Sequence, residues 1–182
     1  VGITAYTVHV NRTLRICSEV KSWNPQCRTV VGGHHATVRP RDFARPGVDA
    51  VVEGDGEKPF RALVERWDRQ EAVDGIPGVH RVEGELLVGT PPEPVGDLDG
   101  CPFPDRTISS KYRPHYYSEW MKPLATIRTS RGCPFRCTFC ALWRLTGGRH
   151  LRRDPRRVVE ELQGIAEPNV FFADDESMVD AQ

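Results

Sequence analysis

Three cysteines stand within eight consecutive residues, in the segment TSRGCPFRCTFC at residues 129–140. Cys133, Cys137 and Cys140 follow the spacing C-x3-C-x2-C, and they make up half of the six cysteines in the chain. Closely spaced thiolates are soft ligands that select zinc, copper(I) or an iron–sulfur cluster. The segment therefore predicts a metal centre.

The number of thiolates bears on the kind of metal centre. A structural zinc site is closed by four ligands, and the only nearby candidate for a fourth is His150, ten residues after Cys140. A [4Fe-4S] cluster on three cysteines leaves one iron without a protein ligand, which suits substrate binding. The count of three favours catalysis, and a zinc-stabilised binding module with a distant fourth ligand is the alternative.

Alternating strands and helices precede the cysteines. Short apolar runs at residues 1–5, 29–31 and 49–52 predict strands, and apolar residues with a helical period follow at 14–20 and 60–67. Strands that alternate with helices pair in parallel through right-handed crossovers. The fold class predicted for residues 1–75 is an α/β domain with a doubly wound, flavodoxin-like parallel sheet.

The rest of the chain divides into a connector and a second α/β domain. Residues 76–123 predict a hairpin around Glu83-Gly84 and then a connector, with five prolines at residues 90–104. Residues 124–182 predict a strand that enters the cysteine segment, a helix that begins at Asp154-Pro155, and a strand at 169–173. Because both end segments read as incomplete domains, we expect the chain to be a fragment.

Composition narrows the classes of partner. The formal net charge is zero, and no long basic stripe predicts nucleic-acid binding. No apolar run approaches the roughly 20 residues that span a bilayer, so no membrane span is predicted. The sequence has no signal-peptide pattern, and we expect a cytoplasmic location.

The cysteine segment resembles the signature of radical S-adenosylmethionine enzymes, with an aromatic residue, Phe139, before the last cysteine. The resemblance implies that Cys133, Cys137 and Cys140 hold a [4Fe-4S] cluster. Its open iron would take the amino and carboxylate groups of S-adenosylmethionine, and one electron would release a 5′-deoxyadenosyl radical. Phe139 would lie beside the adenine.

Three upstream segments, VGITAYT, VVGGHHAT and DAVVEGDGE, occur in the order found in radical S-adenosylmethionine proteins with an N-terminal cobalamin-binding domain, which the chain resembles. This resemblance implies that residues 124–182 begin a partial (β/α) barrel. A glycine pair lets a backbone approach a bulky ligand, although it also suits a simple turn. The implied cobalamin-binding residues are Ala5, Tyr6, Thr7, Gly32, Gly33, Gly54 and Glu57.

Cobalamin domains that supply an axial histidine carry the motif D-x-H-x-x-G, and no Asp-x-His occurs in this chain. We therefore expect no histidine in the lower axial position of cobalamin. His34 and His35 follow the glycine pair, and we expect them to pack or hydrogen-bond at the rim of the pocket.

Two polar groups are candidates for contacts with S-adenosylmethionine. Arg149 belongs to a basic run at residues 149–157, which suits either the cofactor carboxylate or a solvated helix face. Asp174 and Asp175 follow the last predicted strand, where they either bind the cofactor's amino group or ribose or cap the next helix.

The resemblance implies radical methyl transfer to an unactivated carbon, with cobalamin as the methyl carrier. The alternatives are a cobalamin-associated radical ring closure or oxidation, and a non-catalytic cofactor-binding fragment. The implied partners are a small-molecule or peptide substrate and an electron donor of the reduced flavodoxin or ferredoxin type. Since most barrel strands would lie outside this segment, we expect the isolated chain to be inactive.

Overall fold

The computed structural model of the protein describes residues 1–94, 96–177 and 179. It forms two compact units, Val1–Val95 and Gly96–Gln182. The last residues of the predicted segment 124–182 lie outside the residues that the structure describes. No helix in the described part of the chain combines the length and the apolar character that crossing a bilayer requires.

The first unit is a mixed α/β fold built on one five-stranded sheet, in which every strand lies next to its neighbour in the chain. The three strands that come first, at the predicted positions, pair in parallel. The elements are β1 (Gly2–Thr4), α1 (Val10–Trp23), β2 (Val30–Gly32), α2 (His34–Val38), β3 (Ala50–Val52), α3 (Glu57–Asp68), β4 (Val79–Glu83) and β5 (Leu86–Gly89).

Alternate strand residues bury themselves on opposite faces of this sheet. Val31 and Val51 join a cluster with Cys17 of α1, whereas Val30 joins another with Leu63 of α3. Both faces are therefore covered by helices, as the predicted parallel α/β sheet requires. Cys17 is fully buried, as expected of a cysteine that acts as a small apolar core residue.

The hairpin β4–β5 extends the sheet instead of belonging to the connector. β4 runs antiparallel to β3, with Val79 opposite Val52. Val82 and Leu87 pack against the cluster that contains Cys17. We predicted a domain boundary at residue 75 because turn residues surround the hairpin. In the structure, the apolar side chains of the hairpin complete the core of the first unit.

The second unit contains two separate pairs of strands. Its elements are β6 (Leu124–Ile127), β7 (Ser130–Gly132), α4 (Leu142–Leu145), β8 (His150–Arg152), α5 (Pro155–Gln163) and β9 (Asn169–Phe172). β6 pairs in parallel with β9, and β7 pairs antiparallel to β8. Asp154 caps α5 by accepting a hydrogen bond from the Arg156 amide at 2.8 Å, which confirms the predicted helix start.

A buried carboxylate ties α5 to β6 and to the basic run. Glu161 accepts hydrogen bonds from Arg106 at 2.7 Å and from Arg153 at 2.6 Å. Arg106 also donates to the Thr126 carbonyl of β6. Arg153 is only 13% exposed, so it differs from the solvated face predicted for most of its basic neighbours. An ion pair buried in this way must stay complete, because a single unpaired charge is costly to bury.

Candidate functional site

The carboxyl ends of three parallel strands lie at one edge of the first sheet. Thr4 at the end of β1 pairs with Gly32 at the end of β2, and Val31 pairs with Val51 in β3. In open α/β sheets, ligands bind in the crevice outside this edge. All residues predicted to bind cobalamin lie in or next to the loops that leave it.

The first loop is fastened to the second by the backbone of Ala5. Its amide donates to the Gly32 carbonyl at 2.9 Å, and its carbonyl accepts from the His35 amide at 3.0 Å. Ala5 is fully buried, so its side chain belongs to the core and faces no open crevice. Among the predicted cobalamin residues, Ala5 therefore positions the exposed Tyr6 that follows it.

The two histidines are both engaged within the protein. His35 is buried, with Nδ1 3.0 Å from the Thr7 hydroxyl and Nε2 2.9 Å from the Asp42 carboxylate. His34 is exposed and stacks on Tyr6, with the ring centroids 4.7 Å apart. The expected packing and hydrogen bonding of the two histidines are confirmed, and both ring nitrogens of His35 are engaged within the protein.

The two glycines of the pair do different work. Gly33 has a φ of 95°, and a Cβ placed there would overlap Thr4 Oγ1 and crowd the Ala5 backbone. Gly32 has ordinary space, since its Cβ would meet Val52 atoms at 3.6 and 3.7 Å. The turn therefore requires glycine at residue 33, whereas a side chain at residue 32 would have ordinary space; the contact of either glycine with cobalamin stays a prediction.

The third loop completes this edge. The Gly54 amide donates to the Thr37 hydroxyl at 3.1 Å, and Gly54 has a φ of 80°. Glu57 is exposed at the first position of α3. The three loops are therefore joined to one another through α2, which gives a preformed edge rather than three independent loops.

The cysteine segment connects β7 to α4 in the second unit. Its three thiols are free, Cys137 is exposed, and the Cys140 amide donates to the Cys137 carbonyl at 3.1 Å. Phe139 is 91% exposed. Among the described residues, no three His, Cys, Asp or Glu side chains converge on one point as a metal site. The donor chemistry fits an iron–sulfur cluster, and the loop conformation shown is not that of a closed site.

Two aspartates hold the chain that leads into this loop. Asp174 accepts hydrogen bonds from the Thr129 and Ser130 amides, and Asp175 accepts one from the Gly132 amide. Partial burial alone would raise the pKa of Asp174, but hydrogen bonds from the Thr129 hydroxyl and from the two amides outweigh it and lower that pKa. Both carboxylates thus have a positioning role, and their contact with S-adenosylmethionine stays a prediction.

Gly132 and the strand pair β7–β8 are features that the sequence analysis did not predict. Gly132 has a φ of 88°, and a Cβ there would overlap the carbonyl of Arg149, which lies half-buried before β8. His150 Nε2 donates to the Glu176 carbonyl at 3.0 Å, so this nitrogen of the candidate fourth ligand is engaged. The glycine directly before the first cysteine was the one sequence signal that could have predicted this turn.

Several proteins are similar in sequence to this chain over nearly its whole length. Residues 1–64 match the family model of the B12 binding domain. The hopanoid C-3 methylase of Methylococcus capsulatus is 35% identical over 97% of this chain and 34% of its own length. The anaerobic magnesium-protoporphyrin IX monomethyl ester cyclase of Rubrivivax gelatinosus is 33% identical over 98% of this chain and 34% of its length. The chain therefore spans about a third of the length of these relatives.

A solved structure has the same fold over most of the chain. The radical S-adenosylmethionine methyltransferase TsrM from Kitasatospora setae, with cobalamin and a [4Fe-4S] cluster bound, superposes with a TM-score of 0.68 at 22% identity. The similarity covers 96% of this chain and 37% of that one. At this identity the likeness shows a shared fold. Together with the B12 binding domain match and the two relatives, it makes the chain similar to radical S-adenosylmethionine proteins that carry a cobalamin-binding domain.

Proposed function

We propose that the protein is a radical S-adenosylmethionine enzyme that uses a [4Fe-4S] cluster and cobalamin to transfer a methyl group to an unactivated carbon. One observation carries the proposal: a B12 binding domain and three free thiols spaced C-x3-C-x2-C stand on the same chain. The methylase relative adds support, because its similarity covers 97% of this chain and so includes both features.

The residues would divide the work between two regions. Cys133, Cys137 and Cys140 would hold the cluster, and the exposed ring of Phe139 would cover the adenine of S-adenosylmethionine. When bound, the cluster and S-adenosylmethionine would supply one-electron chemistry, and cobalamin would supply a methyl carrier. The edge formed by the loops after β1, β2 and β3 would take cobalamin, with Tyr6, Thr7 and Glu57 as its exposed members.

The domain assignment follows from these roles. Residues 1–75 would form the cobalamin-binding domain, 76–123 the hairpin that extends its sheet and then the connector, and 124–182 the beginning of a (β/α) barrel. The parallel pairing of β6 with β9, joined through α5, supports the barrel. The cysteine loop follows the carboxyl end of β6, which is where barrel enzymes place their reacting groups.

The proposed partners are a small-molecule or peptide substrate and an acidic one-electron donor of the flavodoxin or ferredoxin type, with no nucleic acid. Residues 128–157 contain nine arginines and a single acidic residue, Asp154, although Arg128, Arg153 and Arg157 pair with carboxylates outside this segment. Arg136 and Arg144 are exposed beside the ring of Trp143, close in sequence to Cys137 and Cys140. Opposite charge steers the encounter of two proteins. Free thiols also suit a reducing cytoplasm.

A second candidate function is a cobalamin-associated ring closure or oxidation. The cyclase relative favours it, since its similarity to this chain nearly equals that of the methylase. Both candidates require the same cofactors and the same residues in this chain. They differ in the substrate, whose product would distinguish a new methyl group from a new ring.

The function is tested by binding three components in order under anaerobic conditions. The reconstituted protein should bind roughly four irons per chain, as a [4Fe-4S] cluster requires, and one hydroxocobalamin. S-adenosylmethionine should then change the electron paramagnetic resonance spectrum of the reduced cluster. Stoichiometric zinc in the purified protein, or a cluster spectrum that ignores S-adenosylmethionine, would contradict the proposal.

The axial ligand of cobalamin gives a separate prediction. Since both ring nitrogens of His35 are engaged and His34 stacks on Tyr6, we expect no histidine nitrogen on cobalt. Protein labelled with ¹⁵N-histidine should give the same cob(II)alamin resonance spectrum as unlabelled protein. A change in hyperfine splitting upon labelling that disappears in His34→Ala would show that His34 is the ligand.

A further inference from the structure

The chain enters the cysteine motif under the control of two neighbouring carboxylates. Asp174 Oδ1 lies 2.7 Å from the Thr129 nitrogen and 2.8 Å from the Ser130 nitrogen. Asp175 Oδ2 lies 2.9 Å from the Gly132 nitrogen. Three of the four amides directly before Cys133 are therefore bound by side chains from the end of β9.

Parallel pairing places these carboxylates opposite the amides. Ile127 pairs with Phe172 in the β6–β9 ladder, and the Ala173 amide donates to the Ile127 carbonyl at 2.8 Å. The two strands thus end side by side, and the residues that follow them leave the sheet together. Beyond this point the β6–β9 pairing ends, and the carboxylates accept hydrogen bonds from the amides of Thr129, Ser130 and Gly132.

The remaining carboxylate oxygens are also engaged. Asp174 Oδ2 accepts from the Thr129 hydroxyl at 2.6 Å, and Asp175 Oδ1 accepts from Arg128 Nη2 at 2.9 Å. Arg128 Nε donates to the Ala173 carbonyl at 3.0 Å, which binds the two chains a second time. Hydrogen bonds to an ionised acceptor are shorter and about twice as strong as neutral ones.

We infer that Asp174 and Asp175 are positioning residues that fix the path of the chain into the cysteine loop and so preorganise Cys133 as the first cluster ligand. Gly132 has its amide held by Asp175, and its positive φ sets the direction in which Cys133 follows. Cys133 is therefore the cysteine that directly follows the anchored backbone, whereas Cys137 is exposed four residues further on. The part of this inference that concerns the cluster rests on the proposed function.

Amide hydrogen exchange in the metal-free protein tests the positioning role directly. Asp174→Ala should speed exchange of the Thr129 and Ser130 amides about tenfold or more, because hydrogen bonds to a charged acceptor are lost. Asp174→Asn keeps one oxygen toward the two amides and should restore most of the protection. The amides of α5, which belongs to the same unit, serve as internal references for the folding of that unit.

A matched control exists within the same unit. Asp105 accepts from the Thr107 amide at 2.9 Å and from the Thr107 hydroxyl at 2.6 Å, the same pair of groups that Asp174 takes from Thr129. Asp105→Ala should leave the exchange of Thr129 and Ser130 unchanged. Equal acceleration by both alanine variants, or none by Asp174→Ala, would overturn the inference.

The reconstituted protein gives the second readout. Asp174→Ala should release iron to a chelator several-fold faster than the parent, and Asp174→Asn should release it at nearly the parental rate. Unchanged release would overturn the link to the cluster. Failure of the parent to bind iron would contradict the proposed function alone, because the exchange measurement needs no metal.

Discussion

Replacing Cys137 by alanine is expected to abolish cluster assembly. Two thiolates of the motif remain in that variant, and among the described residues no three His, Cys, Asp or Glu side chains converge elsewhere to replace the lost ligand. Iron bound after anaerobic reconstitution should fall from roughly four per chain to near zero, since three cysteines are the least that hold such a cluster here. Iron and sulfide analysis together with the visible absorption spectrum measures the change.

The control for this variant is Cys101→Ala. Cys101 is a free, half-buried cysteine of the same unit, and it lies outside the motif. Its removal should leave iron content unchanged. Full iron loading of Cys137→Ala would refute the assignment of the motif, and iron loss in both variants would indicate a general effect of removing thiols.

Gly33→Val is expected to destabilise the first unit severely. A β-branched residue at a φ of 95° is strained, and its Cβ would overlap Thr4 and crowd Ala5. We expect the free energy of unfolding to fall by about 3 kcal/mol or more, a large fraction of the stability of a typical domain. Urea unfolding followed by circular dichroism measures it, and an unchanged midpoint would contradict the turn geometry.

Gly32→Ala is the matched change at the neighbouring position. A Cβ at Gly32 meets only ordinary contacts with Val52, so folding should be nearly unaffected. Weaker binding of hydroxocobalamin by this variant would therefore report on ligand space, whereas weaker binding by Gly33→Val would report mainly on folding. Parental affinity in Gly32→Ala would remove Gly32 from the proposed cobalamin site.

Much of the fold could be predicted because local patterns and long-range packing agree. The strands β1, β2 and β3 are short apolar runs, and α3 buries Leu63 of its apolar stripe in the cluster that contains Val30. The place of the β4–β5 hairpin could not be predicted. Its turn residues are local, but its membership in the first sheet depends on pairing with β3 across α3.

The candidate site divides in the same way. The cysteines could be predicted as metal ligands because their spacing in the sequence alone is typical of a metal centre. The roles of Asp174 and Asp175 could not be predicted, since they arise from the parallel register of β6 with β9. The overlap that forbids a side chain at Gly132 depends on the carbonyl of Arg149, across the β7–β8 pair. Such relations exist only after distant segments have met.

The order of strands in the first sheet and in the β6–β9 pair determines when each strand pair can form during synthesis. In the first sheet every neighbour is the next strand along the chain, so each pair can form as soon as its second member leaves the ribosome. β6 instead waits for β9, and the cysteine motif lies between them. The thiols therefore emerge before the two aspartates that order their approach, and are open to oxidation during that interval. Iron that reached the chain before β9 was complete would meet a loop without the hydrogen bonds to Asp174 and Asp175.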